Sequence, residues 1–387
     1  MKLEKDYSFI KGVCHGFYGG DEEGFRREIG FAKSIGVNSF RSWFSPYDWE
    51  KDRDAFLERV HRAVSIAWEY GISTMPILFN GNGLDPAMLD EEFMKETGDA
   101  YVKDMVGLLK NEPGFLMYDV MNEPTCNPYI MKAEGEEKKE HLDKMNRFLK
   151  HYCDLIKELD AENPITIGHT YPGDLEPSSE WVDVISFHDY LESTVRIDAS
   201  YALAKSVAEK YGKPLINSEL ACIARANPYD LSIKKAYDNH VGFYAFELMI
   251  HGHWGGIHGF FYPDGTVRDP STVAAFMGFF RKRTPDRIRF RPNQEGKAEQ
   301  AIERLRKILK EPDDVFEKRP NHSEAVLEAA EWIINLLEGA ELVPMVDPPS
   351  VKLNEYRMIP EAERPCDEID CFAWEMAEKL RIAAKVL

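Results

Sequence analysis

Between Lys11 and about Arg281 the chain alternates short apolar runs with longer amphipathic ones, eight times over. Short runs buried on both faces and joined by helices describe repeated βα units around a parallel sheet. The expected strands are Gly12 to Tyr18, Asn38 to Phe44, Ser73 to Leu78, Phe115 to Met121, Ile165 to Gly168, Val182 to Phe187, Pro214 to Ser218 and Gly242 to Leu248. Between them, Asp21 marks a helix start, with Phe25, Ile29, Ala32 and Ile35 on one face and Gly36 as its stop. A second helix carries Phe56, Val60, Val64 and Ala67 and ends at Gly71, and a third, after the loop Asn80 to Gly83, runs to about Leu109. Met145, Leu149, Tyr152 and Ile156 mark the fourth, and a last helix runs from Pro270 to about Arg281. Repeat five is followed by prolines, so its helix is expected to be short. Eight repeats in this span suit an α/β chain closed as a (β/α)8 TIM barrel, which takes about 250 residues. No G-x-G-x-x-G turn follows the first strand, which disfavours an open doubly wound sheet.

The rhythm changes beyond Arg281, where helical patterns at Lys297 to Leu309, His322 to Leu337 and Asp367 to Val386 are separated by proline-rich joints. The expected division is a catalytic barrel over 1–287 and a helical C-terminal extension over 288–387. Val326, Ala330, Ile333, Ile334 and Leu337 form an apolar stripe in that extension, suited to packing on the barrel or on a partner subunit, which would make a homo-oligomer. The net charge of −19 excludes the basic footprint of a nucleic-acid binder and disfavours an anionic membrane surface. Six scattered cysteines without a C-x-x-C pair indicate neither a disulfide framework nor a zinc cluster. Met1 to Tyr7 is charged and lacks the apolar core of a signal peptide, and no window has the length of a membrane span. The expectation is a cytoplasmic protein, although a secreted chain whose leader had been removed would read the same.

In a barrel of this kind the chemistry gathers at the carboxyl ends of the strands. The polar residues expected there are Arg41, Asn80, Asn122, Glu123, His169, His188, Tyr190, Glu219 and Glu247. Glu123 and Glu219 are carboxylates held in otherwise apolar strand sequences, on strands roughly opposite one another. Cleavage of a glycosidic bond needs one carboxylic acid to protonate the leaving oxygen and one carboxylate to meet charge at the anomeric carbon. A carboxyl separation of about 5 to 5.5 Å would make the reaction retaining.

The segments Tyr118 to Pro124 (Y-D-V-M-N-E-P), Ser186 to Tyr190 (S-F-H-D-Y) and Ile216 to Leu220 (I-N-S-E-L) resemble the barrel clan of retaining glycosidases, with family 5 cellulases and mannanases closest. The resemblance covers the barrel and leaves the extension unaccounted for. It implies Glu123 as acid/base, Glu219 as nucleophile and Asn122 as the holder of the sugar 2-hydroxyl. It also implies that Arg41 pairs with the nucleophile region, keeping Glu219 ionised, and that His188 and Tyr190 orient the nucleophile and contact the sugar. One departure is Phe246, which stands on strand eight where relatives carry a tryptophan as the subsite floor. Trp254 could supply that ring from the following loop.

Each residue also has a plainer reading. The glutamates and Arg41 could form structural ion pairs, and Asn122 could cap a helix. His188 could be a satisfied strand-end residue, and Trp43, Tyr190, Trp254 and Tyr262 could pack loops rather than sugars. His251 and His253 form an H-x-H pair, but it follows strand eight without a matching Asp or Lys, so neither a catalytic metal nor any other cofactor is expected. The expected activity is retaining hydrolysis of oligosaccharides of β-linked glucose, mannose or xylose. The alternatives are a barrel that binds carbohydrate without turnover and a metal-dependent barrel hydrolase.

Overall fold

The computed structural model describes residues 3–16, 21–222, 227–251 and 258–280. Trp254, His253 and the helical patterns beyond Arg281 lie outside the described residues. Within them the eight expected strands close into one parallel barrel, each paired with the next and the first with the last. They are β1 (Lys11–Cys14), β2 (Ser39–Trp43), β3 (Ser73–Asn80), β4 (Tyr118–Asn122), β5 (Ile165–His169), β6 (Ile185–Asp189), β7 (Leu215–Leu220) and β8 (Gly242–Ala245).

The surrounding helices form where the apolar period and capping residues coincide. Asp21 caps the helix Glu22–Ser34 by accepting from the Gly24 amide, while Phe25, Ile29 and Ala32 are buried beneath it. Asp52 caps Arg53–Glu69 in the same way through Ala55. Gly36 and Gly71 take positive φ after these two helices, the left-handed step that ends a helix without steric cost. The long helix Gly135–Leu159 buries Met145, Leu149, Tyr152 and Ile156, the expected stripe.

Two repeats depart from the expectation. The helix ending at Leu109 is broken into a 3-10 turn (Pro86–Leu89), a short α turn (Glu91–Phe93), a π turn (Met94–Gly98) and the helix Asp99–Leu109. The backbone stays helical through Gly98, which leaves room for the Tyr152 hydroxyl, since a Cβ there would meet it at 1.9 Å. Repeat five has only the 3-10 turns Pro172–Asp174 and Glu176–Ser178 before β6, and Pro177, with no amide to bond back to the preceding turn, keeps them from joining into one helix. The last helix, Pro270–Phe276, stops short of Arg281.

Side chains alternate along a strand, so Ser39, Arg41 and Trp43 share one face of β2. That face is the barrel interior: Ser39 bonds the Tyr244 hydroxyl at 2.8 Å, Arg41 reaches β7, and Trp43 packs edge-on against Phe246. Tyr7, Ile10, Cys14, Met75, Leu116, Met117, Val184, Ile216 and Tyr244 form a buried cluster that also takes up Trp43 and Phe246. Gly12 leaves room for the fully buried ring of Tyr244, because a Cβ there would lie 2.2 Å from Cδ1. Gly12→Ala should therefore overpack the barrel and cost about 1–3 kcal/mol. Urea unfolding checks this, and an unchanged midpoint would show that the ring can retreat.

Candidate active site

Three strand irregularities decide which side chains face the centre. The ladder shifts register between Asp119 and Asn122 in β4, between Phe187 and His188 against β7, and between Asn217 and Leu220 in β7. A bulge breaks the period of two, so residues that alternation would place on opposite faces turn to the same side. Asp119 and Asn122 both reach Arg41. Ser218 and Glu219, adjacent in sequence, both bond across strands, to Ser186 and Arg41 respectively.

Arg41 is fully buried and every guanidinium nitrogen has a partner. Nε donates to Asp119 Oδ2 at 2.9 Å, Nη1 to Glu219 Oε1 at 2.5 Å, and Nη2 to Asn122 Oδ1 at 2.9 Å. Burial by itself would lower its affinity for the proton, but Asp119 and Glu219 outweigh that and hold it above its ordinary range. Burial pushes the Asp119 carboxyl up, against the pull of Arg41 and of the Gly168 amide, which donates to Oδ1 at 3.0 Å. Asn122 passes the network to the mouth by donating to Asn80 Oδ1 at 3.0 Å.

Glu219 receives a second donor, the Tyr190 hydroxyl, at 2.8 Å on Oε2. Burial and the neighbouring Glu219 charge push the Tyr190 phenol up, so it remains a donor. Glu123 follows β4 with φ of 46°, a left-handed conformation unusual for a side-chain-bearing residue. The amide of Glu123 is fixed on Gly168 O at 2.7 Å, and a Cβ at Gly81 would come within 2.2 Å of the Glu123 carbonyl oxygen. Such conformations persist where surroundings over-determine them, often at functional sites. His188 Nδ1 bonds Glu123 Oε1 at 2.9 Å and lies 3.7 Å from Glu219 Oε2. One oxygen of each glutamate and a ring nitrogen of His188 all lie within 4.8 Å of one another. That spacing could also admit a cation, though the Glu219 oxygens already accept from Arg41 and Tyr190 and the Glu123 oxygen is paired with His188.

The other expected residues have distinct places. Trp43 and Phe246 pack edge to face at 5.7 Å between centroids, and Arg41 lies 5.4 Å from the Trp43 ring. His169 is buried and its Nε2 bonds Ser178 Oγ at 2.6 Å rather than either glutamate. Burial, then the proximity of His188, lowers the His169 imidazole to about 3. Glu247 follows β8 near Glu219, and burial together with that neighbour pushes its carboxyl up to about 8 despite the opposing pull of Arg268. Sequence reasoning missed Asp119, whose signal was a lone acid inside the apolar strand beginning at Tyr118. It also missed Gly168, where a Cβ would come within 2.5 Å of Arg41 Nη2 and 3.1 Å of both Asp119 and His188. His258 is a third omission; its ring lies edge-on to Phe246 at 4.6 Å and to Tyr190 at 5.7 Å.

Residues 10–245, more than half of the chain, match the cellulase family, glycosyl hydrolase family 5. The chain belongs to that family. None of the curated proteins matches it by sequence. Among solved structures it is similar to the exo-β-1,4-mannosidase Op5Man5 from Opitutaceae bacterium strain TAV5, with TM-score 0.54 and 16% identity over 72% of this chain. The chain covers 60% of that mannosidase's length. It is also similar to the endo-1,4-β-D-mannanase from Thermotoga petrophila RKU-1 (TM-score 0.52, 15% identity, 70% of this chain and 99% of the other). A β-glucuronidase 2 variant from Bacteroides uniformis matches with TM-score 0.54 and 15% identity over 73% of this chain and 37% of the other. At such identities these likenesses show the barrel fold alone and leave the substrate open. No helix among the described residues is long and apolar enough to cross a membrane.

Two outcomes are expected of this network. Arg41→Ala strands two buried carboxylates and should destabilise the barrel by about 3–5 kcal/mol in urea unfolding, whereas a surface arginine would cost little. Glu247 has a folded-state affinity for its proton raised from 4.5 to about 8. Its stabilising effect is complete below pH 4.5 and is lost as pH rises toward 8, because the unfolded chain ionises first. The melting temperature of Glu247→Gln minus that of the parent should therefore grow across this interval. A constant difference would contradict the assignment.

Proposed function

We propose that the protein is a retaining β-glycoside hydrolase in which Glu219 is the nucleophile and Glu123 the general acid/base. One observation carries the reading. An oxygen of each glutamate lies within 4.8 Å of the other, which suits the spacing of about 5 to 5.5 Å used for double displacement rather than 6.5 to 9.5 Å used for inversion. The two environments differ in the required direction. Both Glu219 oxygens accept hydrogen bonds, one from a guanidinium and one from a phenol, as the acceptor-only carboxylate does. Glu123 bonds the imidazole of His188, a partner through which a proton can be held or released.

In the first step Glu219 attacks the anomeric carbon, the glycosidic bond breaks, and Glu123 gives its proton to the departing oxygen. In the second, Glu123 takes a proton from water, whose oxygen displaces Glu219 from the same carbon. Arg41 and Tyr190 balance the charge that leaves Glu219 in the first step and returns to it in the second. Asn122, fixed between Arg41 and Asn80, is placed to hold the sugar 2-hydroxyl. The mannosidase and the mannanase among the similar structures support β-linked mannose units as substrate, and the cellulase family supports β-linked glucose.

Kinetics on aryl β-glycosides test the roles. Glu219→Ala should lose at least about 10³-fold in kcat on every substrate. Glu123→Ala should lose about 10²–10⁴-fold on poor leaving groups, much less on activated aryl ones, and be partly rescued by azide. Equal losses without rescue would contradict the assignment, and loss of activity on adding a chelator would favour metal-dependent hydrolysis at the same trio.

A further inference from the structure

Glu247, like Asp119, is a carboxyl near the proposed nucleophile that the double displacement does not use, but unlike Asp119 it is not paired with Arg41. Its backbone is fixed, with Glu247 O accepting from the Phe260 amide at 3.2 Å and the next amide, Leu248 N, donating to Cys14 O at 3.0 Å. Phe246 before it is held between Trp43 and His258. Oε1 of Glu247 is buried and has no hydrogen-bond partner. An unpaired buried polar atom costs free energy that a bound partner would recover. Among the described residues, the charged and titratable groups that act on it or that it acts on are Glu219 from β7, Arg268 from the chain beyond β8 and Cys14 from β1. Arg268 does not complete it, since its Nη1 donates to His258 O at 2.6 Å and its guanidinium lies over the Tyr262 ring. Arg41 is likewise committed to Asp119, Asn122 and Glu219.

We propose that Glu247 is a specificity-determining residue that hydrogen-bonds an uncharged sugar ring beside Glu219, in a site whose guanidinium groups are too engaged to receive a sugar bearing a carboxylate. The inference rests on the glycosidase reading and narrows its substrate class. A carboxyl offers a hydroxyl group both a donor and an acceptor while protonated, and an acceptor once ionised. A uronate would meet the Glu219 carboxylate, joined by Glu247 only once that carboxyl ionises, with both nearby guanidinium groups among the described residues already engaged. Like charges so placed disfavour binding, and the bulk charge of −19 adds to the repulsion. Burial and the neighbouring Glu219 push the Glu247 carboxyl up to about 8, so the bond it donates to the sugar is present below that pH and lost as it ionises.

The test compares the parent, Glu247→Gln and Glu247→Ala on 4-nitrophenyl β-D-mannoside, glucoside, xyloside and glucuronide, with melting temperatures of all three. The parent should prefer a neutral glycoside to the glucuronide by at least about 100-fold in kcat/KM. Glu247→Ala should lose about 10-fold in kcat/KM on that glycoside, mainly through KM, without a matching loss on the glucuronide. Glu247→Gln, which keeps shape and hydrogen-bonding capacity, should stay within about 3-fold at pH 6 and lack the fall in kcat/KM near pH 8 that the parent shows. If the alanine variant is unfolded, the glutamine variant decides. A parent that prefers the glucuronide, or variants whose KM, selectivity and alkaline limb match the parent's, would overturn the role of Glu247 and leave the glycosidase reading intact. Absence of hydrolysis of all four glycosides would overturn both.

Discussion

A single guanidinium buried among acids is the constraint on which the site depends. Arg41 carries its charge into a closed barrel, where an unpaired ion is costly, and the cost is offset only by partners from several strands at once. Asp119 and Asn122 come from β4 and Glu219 from β7, so the hydrogen bonds of one side chain fix the relative positions of three strands. Gly168 on β5 leaves the space the guanidinium needs, and its amide holds Asp119. The arrangement that neutralises Arg41 is thus the one that presents Glu219 at a fixed angle, and packing and proposed chemistry have the same cause.

Around that centre the molecule spends backbone regularity on side-chain direction. The register shifts in β4 and β7 turn Asn122 and Glu219 inward beside neighbours that already face inward. Glu123 adopts a positive φ that the close approach of Gly81 and the bond to Gly168 maintain. Such features are costly alone and stable together, as expected where rigid positioning of two carboxylates is required.

The same features explain what could be read from the sequence. The eight strands were legible because apolar runs and helix stops such as Gly36 and Gly71 are local signals. Arg41, Asn122, His188, Tyr190 and both glutamates could be named because they fall at strand ends, where barrel topology gathers side chains. Asp119 was not named, because one extra residue in β4 puts it on the same face as Asn122 and no local pattern encodes a bulge. Gly168 and Gly81 went unnoticed because their contribution is absent volume, which only the packed structure reveals. His169 occupies its expected strand end yet bonds Ser178, a partner that comes from the turns replacing the fifth helix. Phe246 packs on Trp43 within the barrel, and Trp254, the alternative ring, lies outside the described residues.

The central claim is that Glu219 forms a covalent bond with the sugar while Glu123 handles the proton. Incubation with 2-deoxy-2-fluoro-β-glycosyl fluorides of glucose and mannose, followed by mass spectrometry of the intact chain and of its peptides, tests this directly. The account predicts one added fluoroglycosyl group per chain, on the peptide containing Glu219 and absent from Glu219→Ala. A label on Glu123 or Glu247, or turnover of the reagent with no covalent species at any time, would contradict it.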